Sequence, residues 1–481
     1  KILAKEQIDE HCLWAYVNFN LYSGTGEKLL PWVAEQILES LEKEHPSVDI
    51  DSWEMLKQIY HKEYERLRRG VLSPIWKKDK AKFEEKFSER IMTLYENTSD
   101  HSIRTLQAAS KKYGRRPFLV FDNADQHDST IQNDVFLVAQ KMAQSLNCSC
   151  LISLREESYW KNRDFGALSA FHSISYHVQA PRLEQIIAKR FKYAKKLICD
   201  QRLLGQGGNS HKLTPKEIDE VVSLLAKTVL GEDKRFIEFA EYLCPGEVRR
   251  PLDFFARFMY SGHTNVNSLL RAVRKNMDLF IGFHEFVTAI MLCDREYFSE
   301  SASDILNIFS IDGRGDANHF NRITVIGRVL RDRDKMSESE IGHGFVPIHS
   351  VIKDCEILGL LPETTTSIIT LLIKRRLLQT ETQIREDISN SNYIRATSAS
   401  LYYLEKLVYE SAYIESILFD TPIENKEYFE TIKKLSKHAN DSEDSGERLN
   451  RLRFRLERNS VFIDYLIDRY NAIVTKFSWI Q

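Results

Sequence analysis

Up to about residue 181 the chain alternates between two hydrophobic periods; beyond it one period takes over. Residues 13–20 are aromatic, β-branched and few, which predicts a strand. Stretches at helical spacing follow over 29–44, 51–70, 80–95 and 103–113; the second opens on Asp51-Ser52, an N-cap signal, and closes at Gly70. The apolar run 118–121 predicts another strand. In 131–146, Val135, Val138, Ala139, Met142 and Leu146 share one helix face. Strands are predicted again over 148–154 and 174–178. This order describes an α/β unit with a parallel sheet, whose strands are expected to be buried on both faces. From Arg182 to about Met336 only helical spacing remains. A helix, a turn and a second helix fit 344–377, with Ile368, Ile369, Leu371, Leu372 and Ile373 apolar, and a strand pair fits 378–381 and 393–397. The tail reads as helices over 398–410, 424–438 and from Arg448 onward, with a polar loop at 440–446.

Candidate chemistry sits where these strands end. The stretch 118–126 runs from four apolar residues into Asp122, Asn123 and Asp125. A strand interior has no use for two carboxylates, whereas a tip opening on a phosphate site does. Magnesium is usually held by one or two carboxylates plus substrate phosphates. The other reading is that these acids end the strand and cap the helix near Thr130. Functional side chains of parallel sheets gather at the carboxyl ends of strands, where Arg155 also falls. Further on, Pro245-Gly246 opens a helix with Arg249 and Arg250 in or beside its first turn. Positive charge there opposes the helix dipole and is easier to explain beside an anion. A solvent-facing pair is the alternative.

Composition narrows the class. The chain has 481 residues, 43% hydrophobic and 28% charged, as in a soluble globular protein of several domains. A net charge of -2 excludes a global basic field for nucleic acid and leaves local basic faces open. The seven cysteines are odd in number and scattered; Cys148 and Cys150 share a strand face, and no second ligand pair accompanies them. They read as reduced core residues of a cytosolic, cytoplasmic protein. No apolar run approaches the ~20 residues of a membrane span, and no secretory signal opens the chain. It begins at Lys1 in charged helical sequence, so further residues are expected upstream.

On these residues the chain resembles the P-loop NTPases of the AAA+/STAND type, near the origin-recognition-like branch. Residues 118–126 look like the Walker B strand, 151–155 like the sensor-1 strand, and 246–250 like the start of the sensor-2 helix. The resemblance continues through 258–264 and 305–309. It implies ATP and Mg2+ as cofactors, Asp122 as the magnesium-linked carboxylate, and Arg155 near the γ-phosphate. It also implies Arg249 as the sensor-2 arginine, with Arg250 the neighbouring alternative. Asn123 stands where the family usually has a catalytic acid; an amide can orient water but cannot act as a carboxylate base. Asp125 is the alternative at an unusual spacing, and slow turnover suited to a switch follows.

The sequence departs from the family more deeply in one respect. No Gly-x-x-x-x-Gly-Lys-[Ser/Thr] occurs, and Ser23 to Lys28 reads as a surface loop. The resemblance therefore implies that the phosphate loop and its strand precede Lys1, with 1–10 the end of the following helix. The 481 residues alone are expected not to hydrolyse ATP. In AAA+ proteins the phosphate-loop strand lies between the sensor-1 strand and the fifth strand, here 148–154 and 174–178. Without it those two are expected to stand roughly 10 Å apart. Direct pairing between them would contradict the resemblance.

The resulting expectation is an ASCE-type α/β NTPase core over 1–181, N-terminally incomplete, with a helical insertion at about 29–113. An all-α lid over 182–336, a winged-helix domain over 337–410 and a helical region over 411–481 follow. Helix-turn-helix plus hairpin is winged-helix order. Its second helix starts on Glu363-Thr-Thr-Thr-Ser367, polar but not basic, with Lys374, Arg375 and Arg376 at the far end. Both packing on the NTPase core and DNA contact remain open. So do a solvated face and a partner or nucleic-acid contact for the basic helix at 448–458. The function expected is an ATP-dependent molecular switch, self-associating or binding a partner protein, with no membrane role. The alternatives are a DNA-binding initiator-like protein and a scaffold without nucleotide chemistry.

Overall fold

Three parallel strands organise the first part of the computed structural model. β1 (Cys12–Asn18) pairs with β2 (Arg116–Asp122), and β2 with β3 (Ser149–Ile152), in the order β1-β2-β3. The structure describes residues 8, 10–24, 28–155, 158–159, 174–199, 214–231, 233–263, 271, 275, 281–312, 318–335, 337, 342–381, 392–440 and 447–476. Parts of the predicted 1–10 helix end, the 23–28 loop, the 258–264 stretch and the 440–446 loop lie outside them. Chain contacts divide it into two units, Lys1–Ser175 and Tyr176–Gln481.

In the first unit, side chains paired in register point to one side of the sheet. Leu13, Ala15, Val17, Leu119 and Phe121 are all fully buried on one face, in a core with Val33, Ile37, Val135, Ala139 and Met142. The opposite face is only partly covered: Tyr16 is 39% and Leu151 46% exposed. The expectation of burial on both faces therefore fails on one. α1 (Leu29–Glu44) closes the outer edge of β1 with side chains. Ser40 Oγ accepts from Tyr16 N–H at 2.8 Å, and His45, just past the helix, lies 3.2 Å from Trp14 N and 3.0 Å from Trp14 O. An edge so covered offers no ladder to another strand.

Helices fill the β1–β2 connection. The helix expected over 51–70 is two, α2 (Trp53–Ile59) and α3 (His61–Arg69). The break falls at Tyr60, whose φ, ψ of -104, 26 leave the helical range while its fully buried ring stacks on His101. α4 (Ser73–Lys78), α5 (Lys80–Tyr95) and α6 (Thr98–Tyr113) follow, and Gly114 at φ +68 ends α6 where an L side chain would be strained. α7 (Ser129–Leu146) leads into β3, and the Cys148 and Cys150 thiols both turn toward α7 carbonyls. The strand expected over 174–178 does not form. Ile174, Tyr176 and Val178 are 81%, 78% and 88% exposed and pair with nothing in a ladder. Alternating β-formers make a strand only where neighbours bury them.

The second unit is built on one continuous core from Leu183 to Leu466, crossing the boundaries expected at 336/337 and 410/411. Its elements begin with α8 (Leu183–Cys199), α9 (Pro215–Leu230), α10 (Arg235–Leu243), α11 (Arg249–Tyr260) and α12 (Phe283–Leu292). Phe236, Phe239, Phe254, Phe258, Phe283 and Phe286 join these helices. Next come α13 (Asn321–Leu330), β4 (Val346–Pro347), α14 (Ile348–Ile357), α15 (Pro362–Lys374), β5 (Leu378–Thr380) and β6 (Tyr393–Ala396). The three strands form an antiparallel sheet in the order β4-β6-β5. α16 (Ser398–Glu405), α17 (Ser411–Leu418), α18 (Lys426–Asn440) and α19 (Glu447–Lys476) complete the unit.

Between α12 and α13 an irregular segment, 300–312, runs through the core, where unpaired backbone groups would be costly. Side chains from distant elements satisfy it. Tyr403 Oη accepts from Leu306 N–H at 2.7 Å; Tyr413 Oη accepts from Ile308 N–H and donates to Leu306 O, both at 2.9 Å. Arg375 donates to the Ser303 and Glu300 carbonyls at 2.6 Å each. Arg322 donates to Asn307 O at 2.7 Å and forks onto Glu300 and Asp312.

Each unit buries a histidine. His101 lies against Tyr60 Oη at 2.9 Å, and His319 between Phe309 O at 2.8 Å and Tyr465 Oη at 3.0 Å. Burial pushes both pKa values below the ordinary 6.5. As pH falls through that value the unfolded chain takes up protons that the folded one refuses, so stability is lost on acidification. Stability is expected to fall from about pH 7 to pH 5 by up to ~1.4 kcal/mol per pH unit per ring, and thermal midpoints to fall with it. His319→Gln should flatten the second unit's share, and midpoints independent of pH would refute the assignment.

Candidate functional site

The carboxyl edge of the first sheet gathers polar side chains from all three strands. Asp122 ends β2 and stands in register with Asn18, which ends β1. Asp122 Oδ2 accepts from Tyr16 Oη at 2.7 Å, and its Oδ1 from Asn123 N–H at 3.0 Å. Burial and then the Asp122 carboxylate push the Tyr16 phenol up to about 12, so at neutral pH it stays a donor to that carboxylate. Asn123 is held at φ 63, in the left-handed region that Asn tolerates better than most residues. Its Nδ2 donates to Asn18 Oδ1 at 2.8 Å, so the amide in the expected water-orienting position is tied to the neighbouring strand tip.

Asp125 and Arg155 meet across the β2–β3 gap. Arg155 Nε lies 2.8 Å from Asp125 Oδ2; the Asp125 side chain is 6% exposed and that of Arg155 60%. Ser153 N–H donates to Phe121 O at 2.9 Å, which continues the register past β3 and brings Arg155 to the same end of the sheet as Asp122. Capping of the following helix falls to another residue: Asp128 Oδ1 accepts from Thr130 and Ile131 N–H at 2.9 and 3.0 Å. The cap reading of the acidic cluster therefore belongs to Asp128.

Sequence reasoning missed Tyr16, Asn18 and His127. The His127 ring donates from Nε2 to Phe19 O at 2.7 Å, and its carbonyl accepts from Gln132 Nε2 at 2.6 Å, fixing the turn after Asp125 to the tip of β1. Nothing in the local sequence marks these residues, because their partners lie about a hundred positions away. No group of three or more His, Cys, Asp and Glu among the described residues could hold a metal unaided. A lone carboxylate beside an amide does fit magnesium bound chiefly through phosphates.

The two edges of this sheet differ. β1 is closed by Ser40 and His45, whereas β3 pairs only with β2 among the described residues. The alternation of a parallel ladder points the N–H and C=O groups of Cys150 and Ile152 to the open side.

The paired arginines belong to the second unit. Gly246 at φ +74 turns the chain into α11, which begins at Arg249. Arg249 is exposed and makes no ion pair among the described residues. Arg250 is committed, its Nη2 lying 2.9 Å from Asp304 Oδ1, and Arg257 Nη1 holds Asp304 Oδ2 at 2.5 Å. Some other basic candidates are likewise engaged, Arg375 on backbone carbonyls, Arg376 with Glu247, and Arg455 and Arg458 with Glu415 at 2.6 and 2.7 Å, whereas Lys374 and Arg453 are exposed. Among the described residues no helix is long and apolar enough to cross a membrane.

No family model matches the sequence, and no curated protein matches it. Among solved structures the chain aligns with the crystal structure of Cdc6p from Pyrobaculum aerophilum. The alignment covers 85% of this chain and 81% of that one, at 12% identity and a TM-score of 0.26, too loose a superposition to carry weight.

Proposed function

We propose that the first unit is the core of an ATP-dependent molecular switch, with magnesium and nucleotide held at the carboxyl edge of β1-β2-β3. The observation that carries the reading is the acidic tip of the middle strand beside a sheet edge left open at β3. One edge of the sheet is closed by side chains, and at the other β3 pairs only with β2 among the described residues. In a P-loop fold of AAA+ order, a strand leading into the phosphate loop lies at that open edge. Asp122 would hold the metal, with Tyr16 and Asn18 fixing its carboxylate and the neighbouring Asn123. Arg155, mostly exposed and steadied by Asp125, would reach the terminal phosphate. Of the adjacent arginines in the second unit, Arg250 is spent on Asp304 and Arg249 makes no ion pair among the described residues. With Asn123 tethered and no free carboxylate beside it, slow turnover suits the site.

The experiment is nucleotide binding by the full-length protein. A fluorescent ATP analogue is expected to bind with magnesium, and Asp122→Ala to weaken that binding at least about tenfold. Unchanged affinity with and without magnesium would overturn the metal role.

A winged helix in the second unit is supported by the order α13, β4, α14, α15, β5, β6 and the β4-β6-β5 sheet. Protein packing is the better reading for it. The first turn of α15 carries Glu363 and no cation, and of the three cations at its far end Arg375 and Arg376 are bound internally, leaving Lys374 exposed. Phosphate contacts need free lysines or arginines.

A further inference from the structure

α19 has two apolar sides, and among the described residues only one is buried, the other making no ring contact but the edge of Tyr470 on Phe320. Phe462, Tyr465 and Leu466 are buried in the core of the unit. On a different side, Leu449, Leu452, Leu456, Ile463, Ile467, Tyr470 and Val474 are between 41% and 77% exposed. At ~100° per residue these seven fall within an arc of about 60°, and from first to last they span ~38 Å. A straight apolar seam of that length is rare on a surface that stays in water.

We propose that this seam pairs, antiparallel, with the same helix of a second copy of the chain. Two features select that occupant. Six of the seven are spaced close to a palindrome about a point between Val461 and Phe462: Leu449 answers Val474, Leu456 answers Ile467, and Leu452 answers Tyr470 within one position, while Ile463 faces Ser460. A two-fold axis across the helix requires that property, and a heterologous partner does not. The charge is also lopsided. Residues 447–460 carry Arg448, Arg451, Arg453, Arg455 and Arg458 against Glu447 and Glu457, while 461–476 balance Asp464 and Asp468 with Arg469 and Lys476. Glu415 serves both Arg455 and Arg458 and leaves the first half positive. A parallel pair would set the positive halves together; an antiparallel pair sets each against the neutral half.

Sedimentation of the full chain is expected to show a dimer. The paired change Leu456→Asp with Ile467→Asp should weaken it at least about a hundredfold while keeping the thermal midpoint of the wild type diluted to monomer, because both positions are exposed. For orientation, Leu449→Cys and Val474→Cys proteins should form a disulfide-linked heterodimer when mixed, and neither should cross-link alone. A monomeric wild type would overturn the proposal. So would a dimer indifferent to the aspartates, or a variant whose thermal midpoint lies below that of the wild type diluted to monomer, which shows the seam to be covered within one chain. Cross-linking of Leu449→Cys with itself would overturn the antiparallel arrangement.

Discussion

Arg322→Ala is expected to destabilise the second unit by about 3–5 kcal/mol, the range for breaking a buried ion pair by removing one partner. The Arg322 side chain is 4% exposed and holds Glu300 Oε2, Asp312 Oδ2 and the Asn307 carbonyl, each at 2.7 Å. Alanine leaves two carboxylates with little water and one buried carbonyl without its donor. Arg322→Lys should recover only a small part, because an ammonium cannot fork onto two carboxylates and a carbonyl at once. Urea unfolding followed by intrinsic fluorescence checks this. A midpoint within error of the parent would mean that the network contributes nothing.

Tyr413→Phe is expected to cost about 2–4 kcal/mol, although it removes one oxygen and no packing volume. That oxygen pairs two backbone groups, Ile308 N–H and Leu306 O, and each buried group left unsatisfied costs ~1–3 kcal/mol. Tyr403→Phe releases Leu306 N–H alone and should cost about half as much. Amide exchange separates the two: Ile308 should lose protection in the first variant and Leu306 in the second. The double variant should fall short of the sum, since both hydroxyls hold the same short segment. Equal protection at Ile308 in parent and variant would refute the assignment.

What could be read in the sequence follows from where the deciding partners lie. The β2 strand and its acidic tip were legible because an apolar run breaking into Asp122 and Asp125 is a local signal. The β1 strand was legible for the same reason, but Tyr16 and Asn18 look like ordinary strand polars until β2 is laid beside them. Arg249 and Arg250 were indistinguishable as neighbours; Asp304, some fifty residues on, separates them. Residues 174–178 carry the right alternation and yet form no strand, because nothing pairs with them. β4 is two residues long and has no period to read, so α13 was not recognised as the first helix of the group built on that small sheet. The core segment 300–312 has no period of its own, since its hydrogen bonds go to side chains rather than to itself.

That segment also sets an order of events for the growing chain. The hydroxyls that satisfy Leu306 and Ile308 belong to Tyr403 and Tyr413, about a hundred residues later in synthesis. At ~5–20 residues per second, the segment leaves the ribosome many seconds before its partners exist. Until then its backbone can be satisfied only by water, which keeps the segment outside any core that forms early. The second unit therefore closes late, through contacts of long sequence separation, and its folding rate is set by their assembly rather than by its helices.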